Sequence, residues 1–229
     1  MIKHLYDCFS NWNSMGQVFF YSDPHFNDED LKEYRGNITA EEQIKRINSK
    51  VGKNDTLVIL GDVGDIECVK KLRGYKVLIM GNHDSGASNY KRVEEILLED
   101  EAEKIDKEVL EKEYRKTKLC IVGGNGYYYY RDNRLFDEVY EGPLFISDKI
   151  LLSHEPIDFP YALNIHGHNH SKSDFEDANH LNVCAEHIDY TPISLKSIIE
   201  SGRLKNIDTI HRHTIDFATE RKLKRNELK

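Results

Sequence analysis

Five short apolar runs, each ending directly in a polar cluster, constrain the fold of this chain more than any other feature. The runs are Val18–Tyr21, Leu57–Leu60, Val77–Met80, Ile150–Leu152 and Ala162–Ile165. Their length and their β-branched and aromatic content predict strands that are buried on both faces. Helical stretches at Ala40–Val51 and Ile66–Arg73 separate the first three runs, which predicts parallel pairing through right-handed crossovers. We therefore expect an α/β fold.

The remaining parts of the chain give weaker signals. A capping box at Thr39 and Glu42 marks the start of the first helix. The charged segment at about residues 86–118 has apolar residues at near-helical spacing, which predicts a helical insertion in a single domain that spans residues 1–229. Further strands are expected at Leu135–Tyr140, Leu144–Ile146 and Leu181–Cys184, and a helix at Ser194–Glu200. The polar residues 206–229 suggest a packed strand followed by a loose basic tail.

The polar residues that close the five runs are the candidate functional residues. Ligands of parallel sheets bind beyond the carboxyl ends of the strands, so these side chains are expected to meet at one edge. They are Asp23, His25, Asp62, Asn82, His154, His168 and His170. Two carboxylates, one amide oxygen and four imidazoles suit borderline divalent metals. The set exceeds what one ion takes while leaving room for solvent, which predicts two ions that share a carboxylate.

The clusters resemble, in order, the five motifs of the calcineurin-like metallophosphoesterase superfamily. The matching segments are Asp23-Pro24-His25, Gly61-Asp62, Gly81-Asn82-His83-Asp84, Ser153-His154 and Gly167-His168-Asn169-His170. One motif alone would be a weak signal, but five in the same order are specific. The resemblance implies an α/β/β/α sandwich of two mixed β-sheets, with the metal site at the carboxyl ends of the strands.

The resemblance also implies a role for each candidate residue. It assigns one divalent ion to Asp23, His25 and His170, a second to Asn82, His154 and His168, and a bridging position to Asp62. His83 resembles the histidine that contacts the phosphate and acts as general acid, and Asp84 would hydrogen-bond to its ring. The implied reaction is hydrolysis of a phosphomono- or phosphodiester by a hydroxide that bridges ions about 3.5–4 Å apart. Manganese, iron, zinc, cobalt and nickel all suit these ligands, and manganese or iron is expected first.

Two departures argue against the serine/threonine protein phosphatase branch of the superfamily. Val63 follows Gly61-Asp62 where that branch has a phosphate-binding arginine, and Asp84 stands where it has glutamate. The chain resembles instead the small single-domain bacterial and phage phosphoesterases. Because some members of the superfamily have lost catalysis and bind protein partners, a silent scaffold is the alternative function. Retention of His83 together with every metal ligand argues against this alternative.

The amino-acid composition limits the kinds of binding partner that we expect for this chain. A net charge of −8 argues against a broad basic surface for nucleic acid, although bound cations would still attract a small phosphorylated substrate such as a nucleotide. No apolar run approaches the roughly 20 residues that cross a bilayer, and the N-terminus lacks a signal-peptide pattern, so a cytoplasmic protein without a membrane partner is expected. Nothing in the sequence indicates the oligomeric state. Reduced thiols are expected at Cys8, Cys68, Cys120 and Cys184.

Several features have an ordinary structural interpretation as well as a functional one. His166 either supports neighbouring ligands or simply packs. The run Tyr127–Tyr130 is a half-buried strand or a stacking surface for a base or sugar. The charged stretch between Glu94 and Lys118 is a solvated face or a lid over the site. Ordinary polar roles are expected for the isolated histidines His4, His180, His187, His211 and His213.

Overall fold

The predicted apolar runs form two mixed β-sheets that pack face to face in the computed structural model. The structure describes residues 9, 12, 16–29, 38–84, 94–121, 124–132, 135–171 and 177–227. The strands are, in chain order, β1 Val18–Tyr21, β2 Thr56–Ile59, β3 Tyr75–Ile79, β4 Glu94–Leu98, β5 Arg115–Ile121, β6 Gly124–Asp132, β7 Glu138–Tyr140, β8 Leu144–Ser147, β9 Ile150–Leu152, β10 Leu163–His166, β11 His180–Asn182 and β12 Ile193–Ser194. The α-helices are α1 Ala40–Lys50, α2 Glu99–Ala102, α3 Lys107–Glu113, α4 Leu195–Glu200 and α5 Ile210–Glu227. Short 3₁₀ helices occupy Ile66–Lys71 and Arg203–Asn206.

The first sheet has the strand order β12-β1-β2-β3-β7. The four strands β1, β2, β3 and β7 run parallel, whereas β12 runs antiparallel to β1. In the register of this sheet, Phe20 pairs with Val58 and Val58 pairs with Val77. The parallel pairing predicted from the strand–helix–strand order is thus confirmed. As a result, the carboxyl ends of four strands meet at one edge.

The second sheet has the strand order β11-β10-β9-β8, with β8 antiparallel to β9 and the others parallel. Its inner face packs against the first sheet, where Leu152 and Ile165 share a buried core with Phe20 and Val58. Burial of such apolar surface is the main force that holds the two sheets together. Two mixed sheets with helices confirm the α/β class that the resemblance implied.

Helix α1 covers the outer face of the first sheet. Ile44 and Ile47 pack into a second buried core there. The predicted N-cap is confirmed, because Thr39 Oγ1 accepts a hydrogen bond of 3.2 Å from the Glu42 main-chain N–H. Such a cap stabilises a helix by about 1 kcal/mol. The second predicted helix is a 3₁₀ helix, Ile66–Lys71, which Asp65 caps through the Glu67 N–H.

Among residues 94–118, the described part of the charged segment predicted to be a helical insertion, helix is confined to α2 and α3. Strands β4 and β5 flank these helices, and both pair antiparallel with β6 in a separate three-stranded sheet. The tyrosine run Tyr127–Tyr130 lies inside β6, as its strand interpretation predicted. An aromatic strand is a strong pairing partner, and this pairing overrides the near-helical spacing of the flanking segments.

The C-terminal prediction of a packed strand with a loose tail is wrong. Residues 210–227 form the helix α5, whose described side chains from Ile210 to Lys224 are all exposed. Good helix formers and an i,i+4 pair between Arg212 and Asp216 favour this helix, and the His213 ring contacts the Tyr161 ring with 5.1 Å between the ring centroids. No helix in the described part of the chain has the length and apolar character to cross a membrane.

Candidate metal centre

All seven predicted metal ligands lie just beyond strand ends at one edge of the paired sheets. Asp23 and His25 follow β1, Asp62 follows β2 and Asn82 follows β3. His154 follows β9, and His168 and His170 follow β10. A parallel bridge between Ser22 and Cys184 joins the ends of β1 and β11, which brings the two sheets together at this edge. The loops therefore place the seven side chains in one cluster.

One side of the cluster is formed by Asp23, His25, Asp62 and His170. Ligand atoms of Asp23, His25 and Asp62 all lie within 4.8 Å of one another. His25 Nε2 is 3.9 Å from Asp23 Oδ1 and 3.5 Å from Asp62 Oδ2. His170 Nε2 is 3.6 Å from the same Asp23 oxygen. These are the residues that the sequence assigns to one ion and to the bridge.

The other side of the cluster is formed by Asp62, Asn82, His154 and His168. Ligand atoms of Asp62, His154 and His168 also lie within 4.8 Å of one another. His154 Nε2 is 2.8 Å from Asn82 Oδ1 and 3.4 Å from Asp62 Oδ2. His168 Nδ1 is 3.1 Å from Asn82 Oδ1. Asp62 alone belongs to both sides, which is the position that a bridging carboxylate requires.

The imidazoles are oriented by contacts on their far side. His25 Nδ1 is 3.2 Å from Asp28 Oδ2, and His170 Nδ1 is 3.2 Å from Glu186 Oε1. His154 Nδ1 is 2.8 Å from the Leu60 carbonyl oxygen. Partners of this kind fix the tautomer and leave Nε2 available for a metal. Asp28 and Glu186 are not among the residues predicted from the sequence, although Glu186 follows the end of a predicted strand like the other polar residues.

Asp23 shows that a cation fits this cluster. Its carboxylate is fully buried, and this burial raises the pKa of Asp23. The attraction of His154 and the hydrogen bonds to the carboxylate favour the ionised form and offset part of this increase. Oδ2 accepts hydrogen bonds from the His168 main-chain N–H at 2.9 Å and from the Cys184 thiol at 3.1 Å. Oδ1 is buried without a hydrogen-bond partner among the described residues. A buried carboxylate oxygen in this state is costly unless a cation binds it.

Cys184 is a further neighbour of the cluster, although it is not among the site residues predicted from the sequence. Its sulfur lies within 4.8 Å of the ligand atoms of Asp23 and His170. Burial raises the pKa of the thiol, which favours its role as a hydrogen-bond donor to Asp23. Cys68 and Cys184 are both free and buried, as expected for reduced thiols.

Four of the predicted ligands hold strained backbone conformations. Asp23, His25, Asp62 and His168 have φ values of 53°, 38°, 53° and 63°. This left-handed region costs residues other than glycine about 1–3 kcal/mol each. Main-chain hydrogen bonds hold the strained loops, including Asp23 N–H to the Gly61 carbonyl at 3.2 Å. Strain of this kind concentrates at functional sites because it fixes side chains in one working position.

His83 and Asp84, the predicted catalytic pair, have different surroundings. His83 is exposed, and its ring centroid lies 5.8 Å from that of His25. Asp84 is buried, and its two oxygens accept hydrogen bonds from the main-chain N–H groups of Asp62, Val63 and Gly81 at 2.8–3.0 Å. These three bonds join the Asp62 loop to the Asn82 loop. Asp84 therefore ties two ligand loops together, which differs from the predicted bond to the His83 ring.

The other histidines divide between packing and surface positions. His166 is fully buried, burial lowers its pKa, and its Nδ1 lies 3.0 Å from the Gly167 carbonyl oxygen. This placement favours the packing interpretation of His166. His180 is buried against Asp177, while His211 and His213 lie on the exposed face of α5. His4 falls outside the described residues.

Gly167 supplies a first test of how tightly the cluster is packed. A Cβ at this position would overlap Ser22 Oγ and Asp23 Oδ2. We expect Gly167→Ala to lower both the melting temperature and the bound divalent metal, because overpacking costs about 1–3 kcal/mol. Gly142→Ala is the matched control, since a Cβ there would meet nothing within 4 Å. Thermal unfolding and elemental analysis measure both effects, and identical results for the two variants would refute the crowding.

Comparisons with known proteins agree with this arrangement. A family model described as calcineurin-like phosphoesterase matches residues 16–190. A search of curated proteins finds no match. One solved structure that resembles the chain is a protein of unknown function from Aquifex aeolicus, with 24% sequence identity and a TM-score of 0.50. The match covers 80% of this chain and 98% of the other, and it supports the fold alone.

Proposed function

The chain belongs to the calcineurin-like phosphoesterase family, and we propose that it hydrolyses a small phosphate ester with two divalent metal ions. The observation that carries this proposal is the shared position of Asp62. Its carboxylate belongs to two ligand groups at once, one with Asp23 and His25 and one with His154 and His168. Two cations bound close together would need an anion between them, and Asp62 is the residue that would supply it.

The donor atoms also favour this chemistry. The cluster offers carboxylate and amide oxygens and imidazole nitrogens, a set that suits manganese, iron, zinc, cobalt or nickel. Among these, we propose manganese or iron. When bound, two such ions supply a hydroxide nucleophile at neutral pH and offset negative charge on the phosphoryl oxygens.

We assign His83 to the substrate rather than to the metals. Its main-chain N–H donates a hydrogen bond of 3.0 Å to Asp62 Oδ1, so the backbone is fixed beside the proposed bridge. Its ring is exposed near His25, on the solvent side of the cluster. The exposed ring is accessible to a phosphate ester that enters from solvent. We assign to His83 the donation of a proton to the leaving oxygen, and to Asp84 the positioning of the loop that carries it.

The proposed substrate is a small phosphomono- or phosphodiester. A screen of 4-nitrophenyl phosphate, bis(4-nitrophenyl) phosphate and natural nucleotide esters tests it, with manganese added to chelator-stripped protein. We expect turnover of at least one ester with manganese and none above background in the stripped protein. Absence of turnover on every ester with the metals bound would contradict an enzyme. It would favour the alternative, a silent scaffold that binds a protein partner.

A further inference from the structure

A cavity of about 260 Å³ adjoins the proposed metal centre on the side of Asn82 and His154. One wall comes from the ends of β3 and β7 and includes Met80 and Glu141. The opposite wall follows β9 and includes Glu155 and Ile157. Both walls lie at the strand ends that carry the proposed ligands, so a group in the cavity would lie beside Asn82 and His154. The size suits a small organic group, since drug-sized ligand pockets begin at about 300 Å³.

Hydrogen bonds hold both walls of this cavity in place. The buried Asn164 side chain donates to Ser153 Oγ at 2.8 Å and accepts from the Ile157 main-chain N–H at 2.8 Å. Ser153 Oγ donates in turn to the Glu155 carbonyl at 2.6 Å. Across the cavity, the Met80 N–H donates to the Tyr140 carbonyl at 2.9 Å. The cavity is therefore formed before any ligand arrives, which lowers the entropic cost of binding.

The charges around the cavity indicate what it accepts. Glu141 and Glu155 are both exposed and line it, and none of its described lining residues is a lysine or arginine. The carboxylates repel an additional anionic group and attract a cation. Apolar side chains such as Met80 and Ile157 provide contact for a short carbon skeleton.

We propose that this cavity binds the organic group of the substrate and that Glu155 selects a small cationic group, such as an amino alcohol. The inference rests on the proposed phosphoesterase function and specifies its substrate class. Phosphoesters with further anionic groups, such as polyphosphates and nucleic-acid strands, are disfavoured by the same Glu155 carboxylate.

A matched series of diesters tests the selection. The 2-aminoethyl, n-propyl and 2-carboxyethyl esters of 4-nitrophenyl phosphate are of similar length and differ mainly in charge, and the neutral propyl ester carries no hydroxyl that could displace nitrophenolate internally. We expect kcat/KM to fall in that order for the manganese-loaded protein. Glu155→Gln should reduce the ratio of aminoethyl to carboxyethyl turnover by about two- to fivefold, the worth of one exposed ion pair. Asp158→Asn is the control, because Asp158 is an exposed acid of the same loop that does not line the cavity. Its ratio should equal that of the wild type.

A binding measurement separates this inference from the proposed function. Calorimetric titration with 2-aminoethyl phosphate and 2-carboxyethyl phosphate should give the tighter Kd for the amine, with the difference reduced in Glu155→Gln. If no ester is cleaved but the amine binds more tightly, the proposed function fails and the cavity assignment holds. If the esters are cleaved without a charge preference, or if Asp158→Asn changes the ratio as much as Glu155→Gln, the cavity assignment is overturned.

Discussion

Replacing Asp62 with alanine is expected to cost the protein bound metal and activity together. Its Oδ2 lies 3.5 Å from His25 Nε2 and 3.4 Å from His154 Nε2, so the variant removes an anion from between both ligand groups. Repulsion between two neighbouring cations would then be unopposed. Removing a residue that hydrogen-bonds to a metal ligand already weakens metal binding by about 10–100-fold. Removing a ligand that two ions share should weaken metal binding more than this. Elemental analysis after dialysis, together with ester hydrolysis, measures both losses.

Asp65→Ala is the matched control for this variant. Asp65 is only three residues away and caps the 3₁₀ helix through the Glu67 N–H, without belonging to either ligand group. Its replacement should cost about 1 kcal/mol of stability, as for a lost cap, and leave the metal content near wild type. An Asp62→Ala variant that retains wild-type metal content would exclude Asp62 as the bridge.

Replacing His83 with alanine is expected to have the opposite pattern. Metal content and melting temperature should remain near wild type, because the His83 contact with Asp62 comes from the main chain and the ring is exposed. The kcat should fall by about 10²–10⁴, the usual contribution of a positioned general acid. The loss should be large for alkyl esters, whose alkoxide needs a proton to depart, and small for 4-nitrophenyl esters. Steady-state kinetics on both ester types provide the measurement.

Two results would remove His83 from the acid role. Loss of metal in His83→Ala would make it a ligand instead. Equal slowing of alkyl and nitrophenyl esters would make it an electrostatic contact with the phosphate, because proton donation would then not limit either reaction.

The location of the candidate site could be predicted from the sequence because the ends of buried strands are easy to recognise there. Each buried apolar run ends at a cluster of polar residues, and parallel pairing brings these strand ends to one edge of the sheets. Asp23 and His154 are 131 positions apart in sequence, yet both follow this pattern and interact in the folded chain. Residues that hydrogen-bond to the ligands have no comparable sequence pattern. Asp28 and Glu186 look like ordinary acidic residues until folding places them beside His25 and His170.

Side-chain direction and long-range pairing lay beyond the sequence. Asp84 neighbours His83 in the chain, but its carboxylate turns towards the main chain of Asp62, Val63 and Gly81. The apolar spacing around strand β4 is near-helical in the sequence, but this segment pairs with β6 as a strand in the structure. Helix α5 has no apolar face to give a periodic signal, and helix propensity together with the Arg212–Asp216 ion pair favours it.

The number of divalent ions that the active protein holds tests the binuclear site most directly. Chelator-stripped protein would be titrated with manganese while bound metal and ester hydrolysis are followed on the same samples. We expect activity to rise with metal content and to saturate at about two ions per chain, the number used by binuclear phosphoesterases. Full activity at one ion per chain, or in the stripped protein, would contradict the proposed mechanism.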